Sequence, residues 1–138
     1  MTKHLTRHAI VVGIALAASA CGGSSSSGAM ATPTSAGCNP SVPSTSTTIT
    51  ITNNTVCPQN ITVPIGTQVT FVNQDTIAHE MFSNPHPEHT DCPDLDQVGH
   101  LEPGQGLQSG NLNIARVCGF HDHIHPDVAT LKGNITIH

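Results

Sequence analysis

The sequence has no tryptophan, no tyrosine and only three phenylalanines in 138 residues. Fixed cations are almost as scarce: four Lys and Arg stand against nine Asp and Glu, a formal charge of −5 with histidine neutral. A surface so poor in Lys and Arg argues against nucleic acid as a partner, because phosphate binding rests on clustered positive charge. The one long apolar run, "AIVVGIALAASA" over 9–20, has about a dozen residues where a bilayer needs roughly 20. There is no G-x-S-x-G, no phosphate-binding glycine loop, no amphipathic helix and no internal repeat. Acyl and phosphoryl transfer therefore have no support, and a non-enzymatic protein is expected. What the chain does have is ten histidines and five cysteines.

Lys3 and Arg7 precede the apolar run and small residues close it, the pattern of a secretory signal over 1–20. The closing "AASAC" resembles the lipobox of bacterial lipoproteins, although Ala18 stands where that family more often has leucine. The resemblance implies a lipid on Cys21 that holds the chain at a membrane, facing the periplasm or the exterior. Residues 21–46, rich in Gly, Ser, Thr and Pro, read as a flexible tether, which leaves 47–138 for one small domain. After processing, Arg116 and Lys132 face nine carboxylates, a formal charge of −7. All nine lie between Asp75 and Asp127, together with seven of the eight remaining histidines.

An exported chain meets an oxidising compartment, where thiols tend to pair. With Cys21 lipidated, Cys38, Cys57, Cys92 and Cys118 remain. A Cys38–Cys57 bridge would tie the end of the tether to the domain. Cys92 and Cys118 stay undecided between a bridge and free thiols.

"STTITIT" (46–52) alternates at period two, as a half-buried strand does. "NITVPIGTQVTFVNQD" reads as strand, Pro-x-Gly turn and strand over Ile61 to Asn73, and His79 to Ser83 as another strand. "LEPGQGLQSGNLNI" is a Pro-Gly turn leading into a strand, and "LKGNITIH" closes the chain with a last one. Asn84 to Gly99, rich in Pro and Asp, is too irregular for either element. Short strands separated by turn signals predict an all-β sandwich or barrel.

The densest chemistry is "CGFHDHIHP" (118–126), where a thiol and three imidazoles, the ligands of soft and borderline metals, fall within eight positions. With "NITVPIGTQVTFVNQD", His79, "LEPGQG", Cys118-Gly-Phe-His121 and Lys132-Gly133 in that order, the chain from Thr47 to Ile137 resembles the cupredoxins, the plastocyanin-like copper proteins. The resemblance implies a Greek-key β-sandwich or barrel that holds one copper ion. In that family the ligands are a histidine after the Asn-x-Asp segment, a cysteine ending the penultimate strand, a histidine shortly after it, and usually a methionine before the last strand. Carried over, these are His79, Cys118 and His121. Leu131, without a donor atom, stands at the methionine position, and the long loop adds His123 and His125, either of which can replace His121 or add a nitrogen. His121 and His123, two apart, project to one side of an extended backbone and can chelate one ion.

Cys118 keeps two readings, copper thiolate or half of a bridge to Cys92. His86 and His89 ("PHPEH") read as surface loop residues, with a loop folded back over the site as the alternative, Met81 reads as a core residue, and His100 and His138 as exposed. The expected function is electron transfer through one copper centre, with an unidentified redox or copper-exchanging partner protein. A copper carrier or scavenger and a metal-free envelope module are the alternatives; the lack of methionine-rich segments argues against a dedicated Cu(I) carrier.

Overall fold

The computed structural model describes Cys38 and residues 43–138; the signal, Cys21 and most of the tether lie outside the described residues. Among the described residues no helix is long and apolar enough to cross a membrane. The strands are β1 (Thr48–Thr52), β2 (Thr55–Cys57), β3 (Asn60–Val63), β4 (Thr70–Asn73), β5 (His79–Ser83), β6 (Gly99–Leu101), β7 (Gly106–Gln108), β8 (Arg116–Asp122) and β9 (Lys132–Ile137). They form two mixed sheets in the orders β2-β1-β4-β7 and β3-β9-β8-β5-β6.

The alternation of β1 works as it reads: Ile49 and Ile51 are fully buried while Thr48 and Thr52 face water. Each isoleucine withdrawn from water contributes roughly 1.5–3 kcal/mol. They join Val63, Phe71, Leu101, Phe120 and Ile135 in one core between the sheets, where Phe71 meets Phe120 edge to face at 5.2 Å. Gly133 packs its backbone against this core, since a Cβ there would overlap the Gln59 carbonyl and the Phe120 ring. The second sheet carries the site, because β8 lies hydrogen-bonded between β5 and β9.

Strands β2 and β6 were not expected, and β8 corrects the position assigned to Cys118. The penultimate strand does not end at Cys118, its third residue, but runs on to Asp122. Its alternation is hidden because Gly119 and His121, on the outward side, are buried as well as Cys118, Phe120 and Asp122. The stretch after β5 is irregular apart from one 3₁₀ turn at Leu95–Gln97. It is fastened to β8 by a Cys92–Cys118 disulfide, and a second disulfide joins Cys38 to Cys57.

Candidate metal centre

Strand β8 divides the donors between two faces. Successive residues of a strand point to opposite sides. Phe120 and Asp122 therefore face inward with Cys118, and His121 and His123 face out. Strand β5 does the same, with His79 and Met81 buried inward and Phe82 outward. The register sets Met81 beside Asp122 and Phe82 beside His121.

On the inner face, Asp122 Oδ2 lies 2.8 Å from His79 Nδ1 and 2.7 Å from His125 Nδ1. Its other oxygen accepts the backbone N–H groups of Glu80 (2.9 Å) and Ile124 (3.1 Å). Burial alone would raise the Asp122 pKa, but His79, these two N–H groups and His125 outweigh it and hold the carboxyl below the usual range. His79 is fixed from behind: its Nε2–H donates to Asp75 Oδ2 at 3.1 Å. Asp75 is held by the N–H groups of Asn53 and Asn54, and its own N–H donates to Asn73 Oδ1 at 2.9 Å, so the Asn-x-Asp segment builds the support for His79. Asp75 too is lowered, burial opposing and the Asn54 and Asn53 N–H groups and His79 prevailing. With its proton on Nε2, His79 turns a lone pair toward Asp122 across 2.8 Å, a contact that needs a proton or a cation between the two atoms. The trio fits a metal ion on this ground.

The outer face gathers four imidazoles. One donor nitrogen each from His86, His89, His121 and His123 lies within 4.8 Å of the others. His121 is 2% exposed; its Nδ1–H donates to Asn84 Oδ1 at 2.9 Å, and its Nε2 is buried with no hydrogen-bond partner. Burial first, then the charges of His89, His86, His123 and Lys132, lower its pKa to about 4. His89 is lowered as well, by burial and by His123. His89 Nε2 and His123 Nδ1 are 3.1 Å apart, and the Phe82 ring stacks on His89 at 4.4 Å. The loop is shaped by His89 N–H donating to the Pro85 carbonyl (2.8 Å) and by Asn84 lying across Gly119, where a Cβ would overlap its amide.

The four residues expected to bind one ion are thus not brought together. His121 and His123 share a side, as their spacing implies, but His79 lies on the opposite face. Cys118 is a correction: its sulfur is bonded to Cys92, and a cystine has no thiolate to offer. Asp122, at the end of β8, stands where the resemblance calls for the cysteine, and His125 three residues on stands where it calls for the second histidine. Leu131 is fully buried and supplies no donor. His86 and His89 leave the surface-loop reading to join the outer cluster. Met81 is in the core, and His100 is exposed beside Glu102.

No protein-family model and no curated protein sequence matches the chain. Among solved structures it is similar to the copper-containing nitrite reductase of Thermus scotoductus SA-01, with 22% identity and a TM-score of 0.50 over 70% of this chain. The chain spans only 22% of that enzyme. It is also similar to a purple cupredoxin of Nitrosopumilus maritimus, with 20% identity and a TM-score of 0.50 over 66% of this chain and 98% of that one. Oxidised plastocyanin of the fern Dryopteris crassirhizoma matches at 19% identity and a TM-score of 0.51, over 66% of this chain and 99% of the plastocyanin. These likenesses establish the fold. The chain is an all-β sandwich of the cupredoxin type.

Proposed function

We propose that this protein is an extracytoplasmic electron carrier, lipid-anchored through Cys21, with one copper ion held by His79, Asp122 and His125. The observation that supports it is the convergence of two imidazole Nδ1 atoms on one buried carboxylate oxygen, at 2.8 and 2.7 Å, at the adjoining ends of β5 and β8. Copper supplies the one-electron couple. The residues supply a fixed set of donors: Asp75 sets the proton and the orientation of His79, and backbone N–H groups hold Asp122, so little has to move with oxidation state. His125, 35% exposed, is the ligand nearest solvent and the natural contact for a partner protein.

Without a thiolate, the Cu(II)-loaded protein should be pale. Absorption and electron paramagnetic resonance spectra should show nitrogen and oxygen ligands and no intense sulfur-to-copper band, and His79→Ala should remove this ion. An intense sulfur band, or unchanged copper content in His79→Ala, would overturn the assignment. Cys21→Ala should move the protein from the membrane to the soluble fraction; persistent membrane association would refute the anchor. Copper scavenging is a second reading, favoured by the partly exposed outer histidines.

A further inference from the structure

We propose that His86, His89, His121 and His123 form a second metal site, distinct from the inner trio, which takes an exchangeable divalent d-block cation, copper(II) or zinc(II). Three observations carry it. The first is convergence: four donor nitrogens from two separate segments lie within 4.8 Å of one another. The second is the orphaned His121 Nε2. Asn84 Oδ1 accepts the hydrogen bond of Nδ1–H, so Nε2 carries the lone pair and is buried without a partner. An unsatisfied buried acceptor is costly, and a cation bound there would remove the cost. Asn84 also meets the usual requirement of a metal-bound histidine, a partner on the other ring nitrogen that sets the tautomer.

The third is the support around the rings. Phe82 stacks on His89 and sits edge-on to His123 at 5.5 Å, and His123 N–H donates to the Glu80 carbonyl at 2.6 Å. Such fixing is more than a chance meeting of surface side chains requires.

The donor set selects the ion. Four imidazoles with no carboxylate or carbonyl oxygen suit copper(II) and zinc(II) and do not suit calcium or magnesium, which require oxygen. His121 anchors the site from beneath, whereas His86 is exposed and His89 and His123 are partly so, leaving a path for exchange with solvent. Asp122 lies between His121 and His123 in the chain, so the two sites stand back to back across one strand. The outer site does not rest on the reading of the inner one.

The test is metal titration of the full chain, purified without a polyhistidine tag and freed of metal, with Cu(II) and separately with Zn(II), in the presence of a chelating indicator. Two variants separate the sites: His86→Asn with His89→Asn and His123→Asn for the outer, and His79→Ala for the inner. The outer substitutions fall on residues that are exposed or half-exposed, and circular dichroism checks that the variant is folded. Wild type should bind two ions, and the outer variant one. Nitrogen hyperfine structure from the Cu(II)-loaded His79→Ala protein should indicate several imidazoles. One ion in the wild type that is lost only with the outer variant would uphold this site and sink the inner one. Equal metal content in wild type and a folded outer variant, or no uptake at all, would overturn it. Zinc competing with copper at equal occupancy would identify a general divalent site, and copper alone retained a copper-selective one; both uphold it.

Discussion

The two faces of β8 hold their histidines by different physics. Inward, His79 and His125 meet one buried carboxylate whose other oxygen is tied to the backbone N–H groups of Glu80 and Ile124. Outward, four imidazoles crowd together with no carboxylate among them, and burial first, then the neighbouring histidines and Lys132, drive His121 down to about 4. One face sets its imidazoles against a carboxylate, and the other leaves a buried imidazole nitrogen without a partner, a place that a cation would fill. The contrast teaches that a string such as His-Asp-His cannot be read as one site: alternation along a strand sends neighbours to environments of opposite character.

The largest effect is expected from Asp122→Ala. Removing one member of a buried, hydrogen-bonded pair costs about 3–5 kcal/mol, and the Glu80 and Ile124 N–H groups would lose their acceptor. Denaturant unfolding should show that loss, and the inner ion should be gone. If the destabilised protein still binds an ion at the outer rings, the faces are independent. Simultaneous loss of both ions in a folded variant would show them to be one unit.

Next in size is the disulfide that fastens the outer loop. Cys92 and Cys118 are 26 residues apart, a loop whose closure is worth about 3.5 kcal/mol. Replacing both by alanine should cost about that much and weaken metal binding at the outer site at least tenfold, because His86 and His89 ride on the freed segment. Inner-site affinity should hold. An equal drop at both sites would mean that the bridge serves the sheet as a whole.

These contrasts also mark what was legible beforehand. The Thr/Ile alternation of β1 and Met81 in the core were readable, since each depends on local pattern, whereas the Asn-x-Asp segment was marked by the resemblance alone and its support of His79 shows only in the fold. Strand β8 was not, because the 84–91 loop covers its outward side and erases the polar alternation. Cys118 carried two chemically sound readings, and only the position of Cys92 in space separates them. His86 and His89 are more than 30 residues from His121, so the outer cluster is a product of topology. Asp122 was overlooked as a donor beside the more conspicuous cysteine and histidines.

Acid should separate the faces in the metal-free protein. His121 is lowered to about 4 when folded and returns to the ordinary histidine value when unfolded. The unfolded chain therefore takes the proton first. The stability linked to His121 is fully present above pH 6.5 and is lost as pH falls toward about 4. That loss is roughly 3 kcal/mol, and the lowered His89 adds to it with the same sign. The inner carboxylates, also lowered on folding, lose their contribution only below the ordinary carboxylate range. Denaturant midpoints between pH 7.5 and 4 should fall in wild type and fall less in His121→Asn. Parallel curves would remove His121 as the source.

The smallest effect expected is that of Phe82→Leu. Its ring stacks on His89 at 4.4 Å with 11° between the planes and meets His123 edge-on, so it limits how far either imidazole can turn. Aromatic pairs of this kind are worth roughly 0.5–1.5 kcal/mol beyond the area they bury. Leucine keeps most of the apolar volume and loses the flat face, so overall stability should change by no more than about 1 kcal/mol. The rings would then be held less well before the ion arrives, and outer-site affinity for Zn(II) should fall about three- to tenfold. Because Phe82 points outward and His79 inward from the same strand, inner-site affinity should not move. A titration in which both affinities fall together would show that Phe82 acts through β5 as a whole and that the two faces share one support.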